Sequence, residues 1–338
     1  MYTPSIVKPK LPPGQTIRFG LISAALINPP AIHYPSQYFP EVEVIAIATR
    51  DKNHAIQYAK TWGISESKAY GGYQALLDDP DVDAVYIGLP NGLHAGACMF
   101  FTSTILDTMV GDFVQLTPRF HLEWAIKALQ AGKHVLLEKP SASNAFEARE
   151  IQKVLNSLTI QPKPVILEAF HYRFHPATVY VRNLLASRKY GKIQSTSAYL
   201  RIFSGAMDSK NIRFNFELGG GALMDLTYTV SITRYMLLGP GSGKPKEIVS
   251  ATPKKLPSDD RIDVTMEAEM IFDVDDGSGG TSEVRSKILS ELATPPLFGF
   301  IPQIWNQPMF VAECENATIT YTKYEPLPFS TYFYVASA

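Results

Sequence analysis

Four short stretches place chemistry-bearing side chains at the ends of apolar runs. Ser23, Ala24, Ala25 and Asn28 follow Phe19-Gly20-Leu21-Ile22, Thr49-Arg50-Asp51-Lys52 closes the run 42–49, Leu89-Pro90-Asn91 closes 82–89, and Glu138-Lys139-Pro140 follows 134–137. Small residues after a first strand let the backbone approach a pyrophosphate, whose charge then faces a helix N-terminus. With Gly20 inside the run, the set Ser23, Ala25 and Asn28 is a degenerate glycine fingerprint that an ordinary strand-to-helix turn fits equally well. Arg50 shifts the balance. An acidic residue at the second strand tip takes ribose hydroxyls in NAD-specific folds, whereas arginine there accommodates a 2′-phosphate. Arg50 with Lys52 behind it therefore favours NADP, while Asp51 keeps NAD possible. Asn91 offers both a donor and an acceptor to cofactor or substrate. Lys139 brings a positive charge to the edge where hydride transfer would take place, and Pro140 fixes its orientation, a cis bond being one way to do so.

These residues need a parallel sheet to share an edge. The strand runs 19–22, 42–49, 82–89 and 134–137 alternate with helical stretches 51–62, 73–79, 121–130 and 143–158, which implies right-handed crossovers. Asn28-Pro29-Pro30 supplies a cap followed by proline at the first helical position. A further strand is expected at 165–170. Beyond it the runs 193–203, 263–274 and 282–290 are longer and partly alternating, as in an antiparallel sheet with one covered face. Helices are expected there only at 176–188 and 221–237, with a hairpin tip at 275–280 and a loop at 239–246. The expected organisation is a flexible arm (1–16), an α/β Rossmann domain (17–162) and an α+β domain with a large, mostly antiparallel open sheet (163–338).

Bulk properties narrow the function. The 338 residues suffice for two cores, and 46% hydrophobic with 19% charged residues excludes wholesale disorder. A net charge of -1 makes no electrostatic case for nucleic acid or an anionic membrane. Cys98 and Cys314 form no metal-spaced or redox-spaced pair, so a reducing, cytoplasmic setting and no metal site are expected. The first sixteen residues lack an apolar signal core. The stretch 95–110 is broken by Thr102, Ser103, Thr104 and Asp107 and falls short of the ~20 residues a spanning helix needs.

Taken together, residues 19–28, Ala48-Thr49-Arg50-Asp51, Leu89-Pro90-Asn91-Gly92-Leu93-His94, the run from Ala131 to Pro140, the run from Glu168 to Pro176 and Gly219-Gly220-Gly221-Ala222-Leu223-Met224-Asp225 resemble the Gfo/Idh/MocA oxidoreductases, in particular the branch of dimeric dihydrodiol dehydrogenase and NADP-dependent D-xylose dehydrogenase. The resemblance implies a Rossmann domain, an open sheet used for a homodimer, and a pocket between the domains for a sugar or diol. It places Lys139 beside the nicotinamide, nominates Asp225 and Tyr228 on a glycine-initiated helix, and brings His94 into the cofactor set. Oxidising an alcohol requires a group to take its proton, and a phenol serves only if its pKa falls toward working pH. A nearby ammonium favours the phenolate. Tyr228 as acid/base with Lys139 as its electrostatic partner is thus the expected pair, Asp225 orients substrate, and Arg173 and His175 shape the pocket.

Three departures keep other readings open. Only two residues separate Asp225 from Tyr228 where the family has three, although i+3 and i+4 share a helical face. Residues 95–120 interrupt the family pattern, so either His94 or His121 takes the family position. The end of the chain is short for the family, and the apolar run 331–335 is expected to be a tail that leaves core surface uncovered. A catalytically impaired dinucleotide-binding protein and a nicotinamide-assisted lyase or glycosidase are the alternatives.

Overall fold

The computed structural model describes residues 16–89, 120–204, 206–207, 210–239, 243–296, 298, 308–323 and 331–337. Pro90, Asn91, His94 and most of the interrupting segment 95–120 therefore lie outside the described residues. The chain divides into two compact units between Ala169 and Phe170.

The first unit contains β1 (Ile17–Ile22), α1 (Tyr34–Ser36), β2 (Val42–Thr49), α2 (Lys52–Trp62), β3 (Ala69–Gly71), α3 (Tyr73–Leu77), β4 (Ala84–Ile87), α4 (Phe120–Gln130), β5 (His134–Leu137), α5 (Ala145–Ser157) and β6 (Ile166–Glu168). Its six strands are all parallel, in the order β3-β2-β1-β4-β5-β6 expected of a Rossmann sheet. Because β6 pairs with β5, the strand expected at 165–170 belongs to the first compact unit. The helices end where local chemistry tells them to. Asp51 accepts the Asn53 N–H to cap α2, and Gly63 closes that helix at φ 72°. Asn144 accepts the Glu147 N–H to cap α5, and the Glu147 carboxylate in return accepts the Ser143 N–H just before the cap. Asn28, expected to cap the first helix, makes no capping bond, and the chain passes through a π-turn at Pro29–His33 into α1. Lys133, in the turn before β5, is buried and donates to the carbonyls of Asp79 and Val82 at 2.8 and 2.7 Å. That lysine ties the start of β5 to the start of β4.

The second unit contains α6 (Pro176–Ala186), β7 (Ile193–Phe203), α7 (Ala222–Asp225), α8 (Tyr228–Leu238), β8 (Glu247–Leu256), β9 (Asp259–Asp275), β10 (Thr281–Thr294), β11 (Pro308–Cys314), β12 (Ala317–Lys323) and β13 (Thr331–Ser337). The sheet order is β13-β12-β11-β7-β10-β9-β8, antiparallel except where β10 runs parallel to β7. Its core includes Val181, Leu185, Ile232, Met236, Phe272, Ile288 and Phe310, so α6 and α8 cover one face. The run expected to be a tail is instead the edge strand β13, paired with β12 along its length, with Val335 against the core.

The expected helix 221–237 is two helices. Leu226, buried between α7 and α8, offers its carbonyl to the hydroxyls of Thr229 (3.3 Å) and Ser290 (3.1 Å), which compete with continuation of the helical ladder. The same-face argument for Asp225 and Tyr228 therefore does not hold, since they belong to different helices. The entry to α7 is crowded. A Cβ on Gly220 would lie 2.7 Å from the carbonyl oxygens of both Arg213 and Asn215. Gly220→Ala is expected to destabilise the second unit by ~1–3 kcal/mol, the usual range for overpacking, as a lowered urea midpoint with unchanged slope.

Candidate functional site

The first unit assembles its strand ends through the backbone. Beyond the last paired residues, Ser23 N–H donates to Ala48 O (2.9 Å), Gly88 N–H to Ile22 O (3.3 Å), Glu138 N–H to Ile87 O (3.1 Å) and Ala169 N–H to Leu137 O (2.8 Å). Ser23, Thr49, Leu89, Glu138 and Lys139 thus come from one carboxyl edge of one sheet.

After β1 the chain turns at Ser23 with φ 87°, a region that non-glycine residues seldom occupy. Ala24 and Ala25 follow. Asn28 is 0% exposed and faces inward, its Nδ2 donating to Ser23 O (2.9 Å) and to the Tyr58 hydroxyl (3.1 Å). The Tyr58 hydroxyl also bonds Nε2 of His33 at 2.9 Å, and the His33 ring stacks on Trp62 at 4.2 Å. Asn28 is thus a brace behind the turn, with Oδ1 lacking a hydrogen-bond partner among the described residues. A Cβ on Gly88 would meet that oxygen at 3.0 Å and the Ala25 Cβ at 3.2 Å. The close approach that glycines normally allow within the turn is provided here by a glycine after β4.

Arg50 is exposed at the tip of β2, and its charge favours the phenolate of neighbouring Tyr73, against the stronger effect of burial, which raises that pKa. Tyr73 lies edge-on to Trp124 with ring centroids 5.0 Å apart. Thr49 is buried and its hydroxyl donates to the Asp51 carbonyl. The Asp51 carboxylate is occupied as the α2 cap, and the Lys52 ammonium turns to the Ala69 carbonyl rather than standing behind Arg50.

The tripeptide after β5 is pinned on several sides. Glu138 accepts the Tyr86 hydroxyl at 2.6 Å and the Lys139 N–H at 3.0 Å, Ser141 N–H donates to Glu168 at 2.8 Å, and the Lys139–Pro140 bond is cis. His121, in the first turn of α4, has its two ring nitrogens 2.8 Å from the carbonyl oxygens of Pro140 and Leu89. Burial pushes its pKa down.

In the second unit Tyr228 packs edge-on against Phe170 (5.3 Å) and His171 (5.9 Å), and tilted against Tyr172 (5.9 Å). Asp225 forms an ion pair with Arg213 Nε at 2.5 Å. Arg173 lies over the Tyr235 ring, 4.9 Å from its centroid. His175 caps α6, Nδ1 accepting the Ala177 N–H at 3.2 Å, and burial lowers its pKa, as suits an acceptor nitrogen. Sequence reasoning missed Arg213, whose signal is its place in Asn211-Ile212-Arg213 ahead of the triple glycine, and the His33–Tyr58–Asn28 chain, which no spacing announces. Among the described residues no cluster of His, Cys, Asp and Glu could hold a metal ion. No described helix is long and apolar enough to cross a membrane.

A parallel sheet that gathers a phosphate-type turn, an arginine tip and a lysine at one edge defines a dinucleotide-binding oxidoreductase class. Residues 17–110 and 112–161 match the model of the oxidoreductase family with NAD-binding Rossmann fold, and residues 178–288 match the GFO/IDH/MocA C-terminal domain. The chain belongs to the Gfo/Idh/MocA oxidoreductase family. It is 33% identical over 270 residues to D-xylose 1-dehydrogenase (NADP(+)) 2 of Haloferax volcanii, covering 79% of this chain and 68% of that protein. It is 30% identical over 185 residues to trans-1,2-dihydrobenzene-1,2-diol dehydrogenase of Xenopus tropicalis, covering 54% of this chain and 45% of that protein. The match thus spans less than half the length of the second relative. In fold it is similar to a crystallised mutant of KijD10, a 3-ketoreductase from Actinomadura kijaniata in complex with TDP-benzene and NADP, with a TM-score of 0.69, 23% identity, and 96% of this chain and 82% of that chain covered.

Burial lowers the His33 pKa from 6.5 to about 4. The folded state therefore prefers the neutral ring, and stability present above pH 6.5 is lost as pH falls from 6.5 toward about 4, because only the unfolded chain takes up the proton. Replacing His33 by Phe is expected to flatten the unfolding free energy over that window in urea titrations at stepped pH.

Proposed function

We propose that this chain is an NADP-dependent oxidoreductase that passes a hydride between nicotinamide and a carbon bearing a hydroxyl, in a sugar such as a D-xylose-like aldose or in a trans-dihydrodiol. The observation that carries the reading is the convergence of the Ser23 turn, Arg50 and Lys139 on one carboxyl edge of a parallel sheet, where ligands of such sheets sit. The family and the named activities of the relatives support it.

The residues fit a dinucleotide. Ser23, Ala24 and Ala25 present a tight turn closed down on Gly88, Asn28 braces it, and Arg50 stands exposed where a 2′-phosphate would meet a guanidinium. With Asp51 occupied as a cap, the tip of β2 favours NADP over NAD. Pro90, Asn91 and His94 belong to the same cofactor set in this reading, with Thr49, Leu89 and Glu138 shaping its floor. When bound, the nicotinamide accepts or gives the hydride. Lys139 supplies the positive charge that favours an alkoxide or phenolate, and Tyr228 takes the hydroxyl proton, so that alcohol becomes carbonyl as one hydride and one proton leave. Asp225, Arg173 and His175 complete the substrate side, with His175 acting through its cap. We further propose a homodimer through the seven-stranded sheet and a cytoplasmic setting.

One observation favours the reading without turnover: Asp225, nominated to orient substrate, is held by Arg213. Purified chain mixed with NADP and either D-xylose or a trans-dihydrodiol separates the two. NADPH formation is expected, with Lys139→Ala lowering kcat by roughly 100-fold or more, in the range of a lost acid/base or charge partner. Cofactor binding with no NADPH from either substrate class would favour the impaired reading.

A further inference from the structure

The interrupted histidine pattern leads to an inference that rests on the assignment of Lys139 above. We propose that His121 is the positioning residue that sets Lys139 at the sheet edge, and that it does so by donating from Nδ1 to the Pro140 carbonyl.

Proline has no N–H, so its carbonyl is the only polar backbone handle on that residue. Glu138 is gripped before Lys139 by Tyr86, and Ser141 after it by Glu168. The peptide plane that directly follows Lys139-Pro140 is gripped by Nδ1 of His121 at 2.8 Å. His121 is 1% exposed; its contact with the Pro140 carbonyl is partly buried and that with the Leu89 carbonyl fully so. Its other nitrogen reaches the carbonyl of Leu89, just beyond β4, so one ring joins the segments that follow two neighbouring strands and lie 51 residues apart (140 against 89).

Both partners are acceptors, and a neutral imidazole has a single N–H. The neutral ring therefore donates to one carbonyl and the imidazolium to both. Burial drives the ring toward the neutral form, while the bonds to the Leu89 and Pro140 carbonyls and, less strongly, the carboxylates of Glu138, after β5, and Glu147, in α5, act in the opposite direction. Both contacts measure 2.8 Å, and with one proton to place the proposed tautomer carries it on Nδ1, toward the Pro140 carbonyl.

Two substitutions separate the nitrogens. The amide of asparagine overlies the position of Nδ1, and that of glutamine the position of Nε2. His121→Asn is expected to keep kcat within about threefold of the parent, whereas His121→Gln lowers kcat by roughly tenfold to 100-fold with little change in KM for NADP, the cost of a misplaced reacting group. The rate at which trinitrobenzenesulfonate labels Lys139, followed by peptide mapping across pH, is expected to shift in His121→Gln and not in His121→Asn. In the unaltered protein, nitrogen NMR of the His121 ring is expected to show a protonated Nδ1. An unprotonated Nδ1, or identical kcat and Lys139 labelling in the two variants, would overturn the proposal. If the parent shows no NADP-linked turnover, the functional reading fails, while labelling and the ring NMR still decide the role of His121.

Discussion

The structure of the first unit depends on backbone hydrogen bonds that run one residue past each strand: Ala48 to Ser23, Ile22 to Gly88, Ile87 to Glu138 and Leu137 to Ala169. Parallel strands point their carboxyl ends the same way, and this extra row fixes those ends to one another before any side chain acts. The Ser23 turn, the Gly88 approach and the Glu138-Lys139-Pro140 tripeptide follow from it. Side chains then refine the edge, Asn28 from behind the turn, Tyr86 and His121 from either flank of the tripeptide. Each of these groups is buried or nearly so, where hydrogen bonds are strongest and an unmade one costs most.

The second unit follows a different rule. Its long strands bury one face against α6 and α8, and its polar residues are largely engaged with one another: Asp225 with Arg213, His175 with the α6 N-terminus, and Arg173 with the Tyr235 ring. Asp263 accepts the Leu223 N–H at 2.8 Å and fills the space before Gly221, whose φ of 133° no side chain adopts easily. The triple glycine is thus explained by crowding at Gly220 and conformation at Gly221. The break after α7 comes from hydroxyls of Thr229 and Ser290, one of them on a distant strand.

Much of the architecture was legible in the sequence. The apolar runs at 134–137 and 193–203 coincide with β5 and β7, and the alternation of short strands with helices foretold the parallel sheet. What escaped had physical causes. β8 is exposed along nearly its whole length and carries Pro253, Lys254 and Lys255, so it shows no buried-face pattern. β3 is three residues long, and the helix break at Leu226 depends on a long-range hydroxyl. At the candidate site the strand ends that share an edge were readable from the alternation of strands and helices, but the orientations of their side chains were not. Spacing could not say that Asn28 turns inward, that Lys52 is drawn to the Ala69 carbonyl, or that His121 closes on two carbonyls 19 and 32 residues away.

The central claim is that this edge receives a dinucleotide and distinguishes its 2′-phosphate through Arg50. Titration of the intact chain with NADP and with NAD, followed by tryptophan fluorescence at low and high salt, tests it most directly, since Trp124 lies against Tyr73 beside Arg50. The account predicts that NADP binds about tenfold or more tightly than NAD, equivalent to ~1.4 kcal/mol, with the gap narrowing as salt screens the guanidinium. Equal affinities that ignore salt, or no saturable binding of either nucleotide, would contradict it.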